Sequence, residues 1–283
     1  MKPGTESQTA VMVAAARAAA HGRTSVGRFA DPTVLTLLPH DARQRVEQLR
    51  SGATPHGLRE RLGRKMLEGR VKMMVPRTVA IDDAIRAAAA PQVVILGAGL
   101  DGRAWRMPEL ADATVFEVDH PDSQRRKQER AATLTPTARE LRFVPVDFTR
   151  DRLDTALAAA GHDATRPTTW VWEGVVMYLE RADIEATLRV LRERSAPGSH
   201  LVILYTSPSL VRKFAGLVLG LLGEPFRSAF TARQMRGLLH GFGFEVAHDD
   251  DLATLAQRLA SEPSSLFKDV RLVTATARRN EVV

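Results

Sequence analysis

The sequence predicts an α/β protein built on a doubly wound parallel sheet, preceded by a helical segment. Two observations lead to this prediction. After Pro91, short apolar runs rich in β-branched residues alternate with helical stretches, and before Pro91 the pattern is helical throughout. Continuously apolar runs are typical of strands buried on both faces of a parallel sheet, and their alternation with helices implies right-handed crossovers. We therefore divide the chain into a helical N-terminal cap, residues 1–90, and an α/β core, residues 91–283.

The composition excludes several classes of protein. The chain has 283 residues, of which 44% are hydrophobic and none is cysteine. A core can form without cross-links, and disulfide scaffolds, thiolate metal sites and cysteine catalysis are excluded; we expect no metal centre. No apolar run reaches the ~18–20 residues that span a membrane, and Glu6 and Arg17 interrupt any signal-peptide pattern. These observations predict a cytoplasmic protein without a membrane partner.

The positive charge is concentrated in the predicted cap. The chain has a net charge of +7, and residues 1–90, with 15 basic and 8 acidic side chains, hold all of it. A basic segment can attract nucleic acid, so a non-catalytic nucleic-acid binder is one alternative. However, the acidic residues are mixed with the basic ones, and residues 33–75 contain no aromatic side chain to stack on bases. We therefore expect no nucleic-acid partner.

The cap is predicted to consist of helices. An Ala-rich helix is expected over residues 7–21, and Asp41 is a candidate N-cap for the next helix. Apolar residues then recur at helical spacing over residues 58–73, and a separate helix is predicted over residues 77–90.

Seven strands are predicted in the core. They cover residues 92–97, 113–119, 141–147, 168–173, 199–205, 244–248 and 270–277. The helices predicted between them cover residues 123–134, 151–160, 181–195 and 231–241. In an open parallel sheet, ligands bind beyond the carboxyl ends of the strands. The residues that follow each strand are therefore the first candidates for a site.

Glycines follow the first strand. Gly97, Gly99 and Gly102 form the pattern G-x-G-x-x-G, which lets the backbone approach a ligand closely. The pattern by itself is a weak indication of a nucleotide site, because an ordinary turn between a strand and a helix can contain it.

Carboxylates stand at the ends of the next two strands. Asp119, 22 residues after Gly97, has the spacing of an acid that binds ribose hydroxyls, and Glu117 shares its face but lies farther from the ligand edge. Asp147 and Phe148 could bond a purine amino group and cover the ring, although Asp147 could instead be a helix N-cap.

A further carboxylate, Glu173, follows the fourth strand and could hold a ligand ammonium. A nicotinamide dinucleotide explains the glycines and Asp119, which leaves an NAD(P)-dependent oxidoreductase as an alternative. The chain lacks, however, a recognisable Tyr-x-x-x-Lys or His proton donor for that chemistry. S-adenosyl-L-methionine explains all of the features, because its ribose, adenine amino group and ammonium each require an acceptor.

Five segments around this edge match the pattern of a known family. They are residues 77–83, 94–106, 116–121, 146–148 and 172–179. The most specific are Gly97-Ala-Gly-Leu-Asp with Arg103-Ala-Trp-Arg, and Glu117-Val-Asp-His-Pro. In these residues the chain resembles the leucine carboxyl methyltransferase family, and especially its bacterial branch of S-adenosylmethionine-dependent O-methyltransferases. The resemblance implies a class I methyltransferase with a Rossmann-like, seven-stranded sheet whose last strand pair is antiparallel.

The resemblance also implies roles for single residues. Asp119 would bind the ribose hydroxyls, Asp147 with Phe148 the adenine, Glu173 the methionine ammonium and Arg77 the methionine carboxylate. The sequence departs from the family at Gly102, where Thr is often found, and at Phe148, where Leu is common. The candidate cofactor-binding residues are Arg77, Gly97, Ala98, Gly99, Asp119, His120, Asp147, Phe148 and Glu173.

The methyl acceptor is less well defined. Methyl transfer from a sulfonium requires mainly that the reactants are aligned and desolvated. A carboxylate acceptor is already ionised at pH 7 and requires no base, whereas a hydroxyl acceptor usually requires one. Since no paired His and acid is evident, we leave the catalytic base unassigned and expect an O-methyltransferase that acts on a carboxylate or acidic hydroxyl of a small, apolar metabolite. The apolar segment 207–230 could form a lid over such a substrate, or be a core helix or a dimer surface. The candidate acceptor-binding residues are Arg103, Arg106, Tyr178, Phe214 and Phe226.

Overall fold

A computed structural model describes residues 7–52, 54, 57–148, 150–209, 226–261 and 268–278. These residues contain a seven-stranded sheet in the order β3-β2-β1-β4-β5-β7-β6. Its strands are β1 Gln92–Leu96, β2 Thr114–Asp119, β3 Glu140–Pro145, β4 Thr168–Trp172, β5 His200–Thr206, β6 Phe244–Asp251 and β7 Val270–Ala277. Neighbours from β3 to β5 pair in parallel, and β7 pairs antiparallel with both β5 and β6. The predicted α/β class, with the last strands antiparallel, is confirmed.

Helices lie on both faces of the sheet. Within the described residues they are α1 Gln8–Ala20, α2 Val34–Leu37, α3 His40–Arg50, α4 Gly57–Ala88, α5 Arg103–Arg106, α6 Pro121–Ala131, α7 Leu153–Ala159, α8 Arg181–Glu193, α9 Ala232–Gly241 and α10 Leu252–Arg258. Short 3-10 helices cover Pro108–Leu110 and Val176–Tyr178. None of the helices in the described part of the chain is long and apolar enough to cross a membrane.

Successive strand residues point to opposite faces, and this alternation divides the core in two. On one face Val93 and Ile95 of β1 pack with Val11 of α1 and Ile81 of α4. On the other face Val94 and its strand neighbours pack with α7, α8 and α9. The helices of residues 1–90 therefore share a hydrophobic core with the sheet, and the division of the chain at residue 90 stays a prediction.

The sequence-based boundaries were wrong at two helices. Residues 58–73 and 77–90 were expected to form separate helices, but α4 runs without a break through Pro76. A proline removes one backbone hydrogen bond from a helix, and the buried side chains of Met74, Val75 and Val79 on either side favour continuation. The helix α10 was not predicted; its N-cap Asp251 accepts a hydrogen bond from the backbone N–H of Thr254 at 2.8 Å.

Candidate active site

The glycine loop turns sharply at the carboxyl end of β1. The N–H groups of Gly97 and Ala98 both donate to the carbonyl of Val118 in β2, at 2.8 and 3.1 Å. Gly97 and Gly99 have φ angles of +66° and +48°, a region that residues with a Cβ rarely adopt. Glycine is therefore required at both positions for the backbone to follow this path.

Asp119 lies at the tip of β2, next to the loop. Its Oδ2 accepts from the Gly99 N–H at 2.5 Å, and its Oδ1 accepts from the His120 N–H at 2.6 Å. Burial raises the pKa of the Asp119 carboxyl, while these two N–H groups act in the opposite direction. His120 is the N-cap of α6 and accepts from the Asp122 N–H at 3.2 Å.

Glu117, two residues earlier, is turned into the core. Its carboxylate is fully buried and lies 2.6 Å from the Lys127 Nζ. Burial raises the pKa of Glu117 to about 7, against the opposing charge of Lys127. Of the two acids in β2, only Asp119 thus reaches the edge of the sheet.

Glu173 follows β4 and joins two arginines from distant parts of the chain. Its Oε1 accepts from the Arg77 Nε at 2.5 Å, and its Oε2 accepts from the Arg103 Nη1 at 2.8 Å. Burial raises the pKa of Glu173, but the charges of Arg77 and Arg103 outweigh burial and hold it well below its usual range. Glu173 is therefore an anion in the folded protein.

Arg103 and Arg106, the sequence candidates for binding the acceptor, are occupied by carboxylates of this chain. The Arg103 side chain is fully buried, with its Nε 2.7 Å from Asp82 and its Nη1 also donating to Asp101. The Nη1 and Nη2 of Arg106 donate to the two carboxylate oxygens of Asp82, at 2.7 and 2.9 Å. The structure thus gives both arginines a set of partners that the sequence analysis did not consider.

The N-terminal helices reach the same cluster. Arg17 of α1 donates to the carbonyl of Leu100 in the glycine loop at 2.5 Å, and its Nε lies 3.4 Å from Asp31. Asp31 also lies 3.8 Å from the Arg106 Nε. We call the eight residues that meet here the arginine–carboxylate cluster. It consists of Arg17, Asp31, Arg77, Asp82, Asp101, Arg103, Arg106 and Glu173.

Asp147 and Phe148 lie just beyond β3. Asp147 is half-buried, and its N–H donates to the Asp151 carboxylate at 2.8 Å. The side chain of Phe148 is 44% exposed, one of the most exposed large apolar side chains among the described residues. The exposed Phe148 ring, next in sequence to Asp147, therefore leaves an apolar surface open just beyond β3.

The candidate acceptor residues are only partly described. Phe214 and most of segment 207–230 lie outside the described residues. Among the described residues at the end of this segment, the ring of Phe226 packs on that of Tyr178, with 5.5 Å between the ring centroids. The N–H of Arg227 then donates to the carbonyl of Met177 at 2.8 Å. This end of the segment is therefore attached to the turn that follows Glu173.

The residues present fit an S-adenosylmethionine-type ligand. The glycine loop has no room for side chains at two of its positions. An added Cβ at Gly97 would overlap the Val175 side chain, and one at Gly99 would lie 3.2 Å from the Ala10 Cβ. Arg103 has a buried Nη2 without a hydrogen-bond partner, so donor capacity remains within the cluster. The carboxyl oxygens of Asp119 at the end of β2 and the anionic Glu173 just after β4 supply acceptors at two separate points.

The sequence analysis missed four members of the cluster, namely Arg17, Asp31, Asp82 and Asp101. A signal existed for Arg17 and Asp82: each is a charged residue inside a largely apolar stretch of helix, and both side chains are buried. No local pattern could show, however, that Asp82 and Arg103 would meet.

Comparisons with known proteins give the family of this chain. The model of the family described as leucine carboxyl methyltransferase matches residues 10–192. The chain belongs to this family. A relative from Mycolicibacterium gilvum, described as "Putative S-adenosyl-L-methionine-dependent methyltransferase", is 38% identical over 228 residues, which cover 77% of this chain and 71% of that protein. A relative from Streptomyces coelicolor with a similar description is 36% identical over 217 residues, covering 70% and 74%.

A solved structure supports the fold. A DUF574 family protein from Streptomyces avermitilis superposes with a TM-score of 0.57 at 15% identity, over 96% of this chain and 98% of that one. At this identity the likeness concerns the fold alone. Together with family membership, these findings confirm the predicted class, a methyltransferase dependent on S-adenosyl-L-methionine.

Proposed function

We propose that this protein transfers the methyl group of S-adenosyl-L-methionine to an oxygen, a carboxylate or an acidic hydroxyl, of a small and largely apolar metabolite. The observation that carries the proposal is the placement of Asp119 and Glu173, two buried or half-buried carboxylates, on either side of the glycine loop after β1. The description of the family as leucine carboxyl methyltransferase supports oxygen, and in particular a carboxylate, as the acceptor.

We assign the cofactor to the residues around the glycine loop. Asp119 accepts from the ribose hydroxyls, Asp147 and Phe148 hold the adenine, and Glu173 accepts from the ammonium. Arg77, which already contacts Glu173, presents its guanidinium to the cofactor carboxylate. Gly97, Ala98 and Gly99 allow close approach of the backbone, and His120 adjoins the ribose. S-adenosyl-L-methionine, when bound, supplies a methyl group that is already activated by its sulfonium.

The chain's own contribution to the transfer is alignment and exclusion of water. An ionised carboxylate acceptor needs no general base. Of the histidines, His162, whose Nε2 lies 3.0 Å from the Thr168 Oγ1 at the start of β4, and His200, the first residue of β5, lie at the amino ends of these strands, away from the carboxyl edge. We place the acceptor next to Tyr178 and Phe226, whose packed rings offer an apolar wall beside the turn after Glu173. This assigns the acceptor's apolar part to these rings and leaves the catalytic base unassigned.

A radiolabel experiment tests the proposal. The full-length protein is incubated with S-adenosyl-L-methionine tritiated in the methyl group and a panel of small apolar carboxylic acids, phenols and primary amines. Mild alkali releases volatile methanol from methyl esters but not from methyl ethers or methylamines. We expect alkali-labile label with an acid, or alkali-stable label with a phenol. Label transferred only to amines would contradict the proposed oxygen acceptor while leaving the cofactor assignment intact.

Phe226→Ala provides a check on the acceptor side. This substitution is expected to raise the KM for the acceptor severalfold. The affinity for S-adenosylhomocysteine should stay unchanged, because we assign Phe226 to the acceptor and not to the cofactor. Phe242→Ala, a half-buried phenylalanine packed on the opposite face of the sheet, serves as the matched control.

A further inference from the structure

The arginine–carboxylate cluster has a hub that no cofactor role explains. Asp82 of α4 binds two arginines of α5 at once: Arg103 through its Nε at 2.7 Å, and Arg106 through Nη1 and Nη2 at 2.7 and 2.9 Å. The side chains of all three residues are at most 4% exposed. A carboxylate that neutralises two buried guanidiniums makes a strong, directional contact.

Two of the three guanidinium nitrogens of Arg103 have hydrogen-bond partners, and the third has none. Its Nε is fixed by Asp82, and its Nη1 donates to Asp101 and Glu173. Its Nη2 is buried without a hydrogen-bond partner. The orientation of the guanidinium therefore depends on the two occupied ends, and loss of the Asp82 contact would leave it free to turn about its Nη1.

Glu173 would respond to such a change. One of its oxygens is held by Arg103 and the other by Arg77. If Arg103 turns, Glu173 keeps a single partner, and the carboxylate can follow Arg77 rather than remain between the two arginines. Both groups that we assign to the amino-acid end of the cofactor, Glu173 and Arg77, would then shift together.

We propose that Asp82 is a positioning residue that acts through Arg103 to set Glu173 for the amino-acid end of the cofactor. The inference rests on the proposed function, and it implies an uneven effect. Asp119, at the tip of β2, and Asp147, beyond β3, which we assign to the nucleoside, lie on different elements from Asp82, which belongs to α4. Recognition of the amino-acid end should fail without Asp82, while recognition of the nucleoside persists.

Calorimetry with two ligands tests this inference. S-adenosylhomocysteine contains both the nucleoside and the amino acid, whereas 5′-methylthioadenosine has the nucleoside alone. We expect Asp82→Asn to lower the affinity for S-adenosylhomocysteine at least tenfold and to change the affinity for 5′-methylthioadenosine less than threefold. The control is Asp83→Asn on the same helix, because Asp83 forms ion pairs with Arg28 and Arg86 at the surface; it should alter neither affinity.

Other outcomes overturn the inference. A parallel loss for both ligands would show that Asp82 only supports the fold, and unchanged affinity for both would show that it has no role. If Asp82→Asn does not fold, Asp82→Glu, which keeps the charge but displaces it by one methylene, should show the same selective loss at smaller size. A wild-type protein that binds neither ligand would instead overturn the proposed function, and this inference with it.

Discussion

The hydroxyl of Thr33 occupies the space that a side chain at Gly102 would need. An ideal Cβ built on Gly102 would lie well within 3.0 Å of the Thr33 Oγ1 and 3.2 Å from the Asp31 Oδ1. Gly102 has a φ of −111°, which any L-residue can adopt. The glycine that departs from the family pattern is thus required by a neighbour and not by its own backbone.

This relationship predicts a rescue between two substitutions. Gly102→Ala should overpack the loop and cost about 1–3 kcal/mol, measured as a lower melting temperature. In the Thr33→Ala background, the same Gly102→Ala change should cost much less, because the obstructing oxygen is gone. Equal losses in both backgrounds would contradict the steric explanation.

Gly97 provides the contrast. Its added Cβ would overlap Val175, but its φ of +66° is itself unfavourable for a residue with a side chain. Gly97→Ala should therefore destabilise the protein even in a Val175→Ala background, as followed by thermal unfolding. A full recovery in that background would show that the positive φ is not what limits this position.

Asp119 is expected to dominate nucleoside binding. Hydrogen bonds to a charged group contribute about 1.5–3 kcal/mol, so Asp119→Ala should weaken S-adenosylhomocysteine binding at least tenfold in calorimetry. Asp154→Ala removes an acid from the surface at the start of α7, where it pairs with Arg152, and serves as the control. Normal affinity of the Asp119 variant would count against the site as a whole.

Arg77 and Glu173 should be energetically coupled. Removing one partner of a buried ion pair leaves a buried charge and typically costs about 3–5 kcal/mol. Arg77→Met and Glu173→Gln are each expected to lower the urea midpoint, and the double variant should lose clearly less than the two losses combined. Additive losses would show that the 2.5 Å contact between them contributes nothing specific.

His162 should make stability dependent on pH. It is buried between the rings of Phe116 and Trp170, and burial lowers its pKa to about 4 from the usual 6.5. Because the unfolded chain takes up this proton more readily, the group's contribution is complete above pH 6.5 and is lost as the pH falls towards 4.

The measurement is the urea midpoint at several pH values between 7 and 4.5. Relative to wild type, His162→Gln should show a shallower loss of stability on acidification, because the glutamine does not titrate. The slope common to both proteins includes Glu117, whose pKa burial raises to about 7 and whose protonation in the folded state adds stability as the pH falls through this range. Asp101 and Glu173, whose pKa values are lowered, cause a loss of stability only as the pH falls below the ordinary carboxyl values of 3.8 and 4.5. Identical slopes in the two proteins would contradict the assignment to His162.

The sequence by itself determined the sheet, the glycine loop and the acids at the strand ends. This was possible because buried parallel strands leave an uninterrupted apolar run, and because a turn such as that at Gly97 needs glycine whatever surrounds it. The position of Asp119 at the end of β2 follows from the same local pattern. The helix through Pro76 was divided in error, because its continuation is favoured by the packing of Val75 and Val79 on Val26 and Phe29, which lie far away in the sequence.

Only the tertiary structure decided which charges meet. Arg77 and Glu173 are 96 residues apart in the chain, and Arg103 and Asp82 are 21 apart, yet all four converge on one buried cluster. A buried charge is stable only beside its counter-charge, and that partner is chosen by the packing of α4 and α5 around the glycine loop. No spacing within the sequence contains that information, which is why Arg103 and Arg106 looked like ligands for an acceptor.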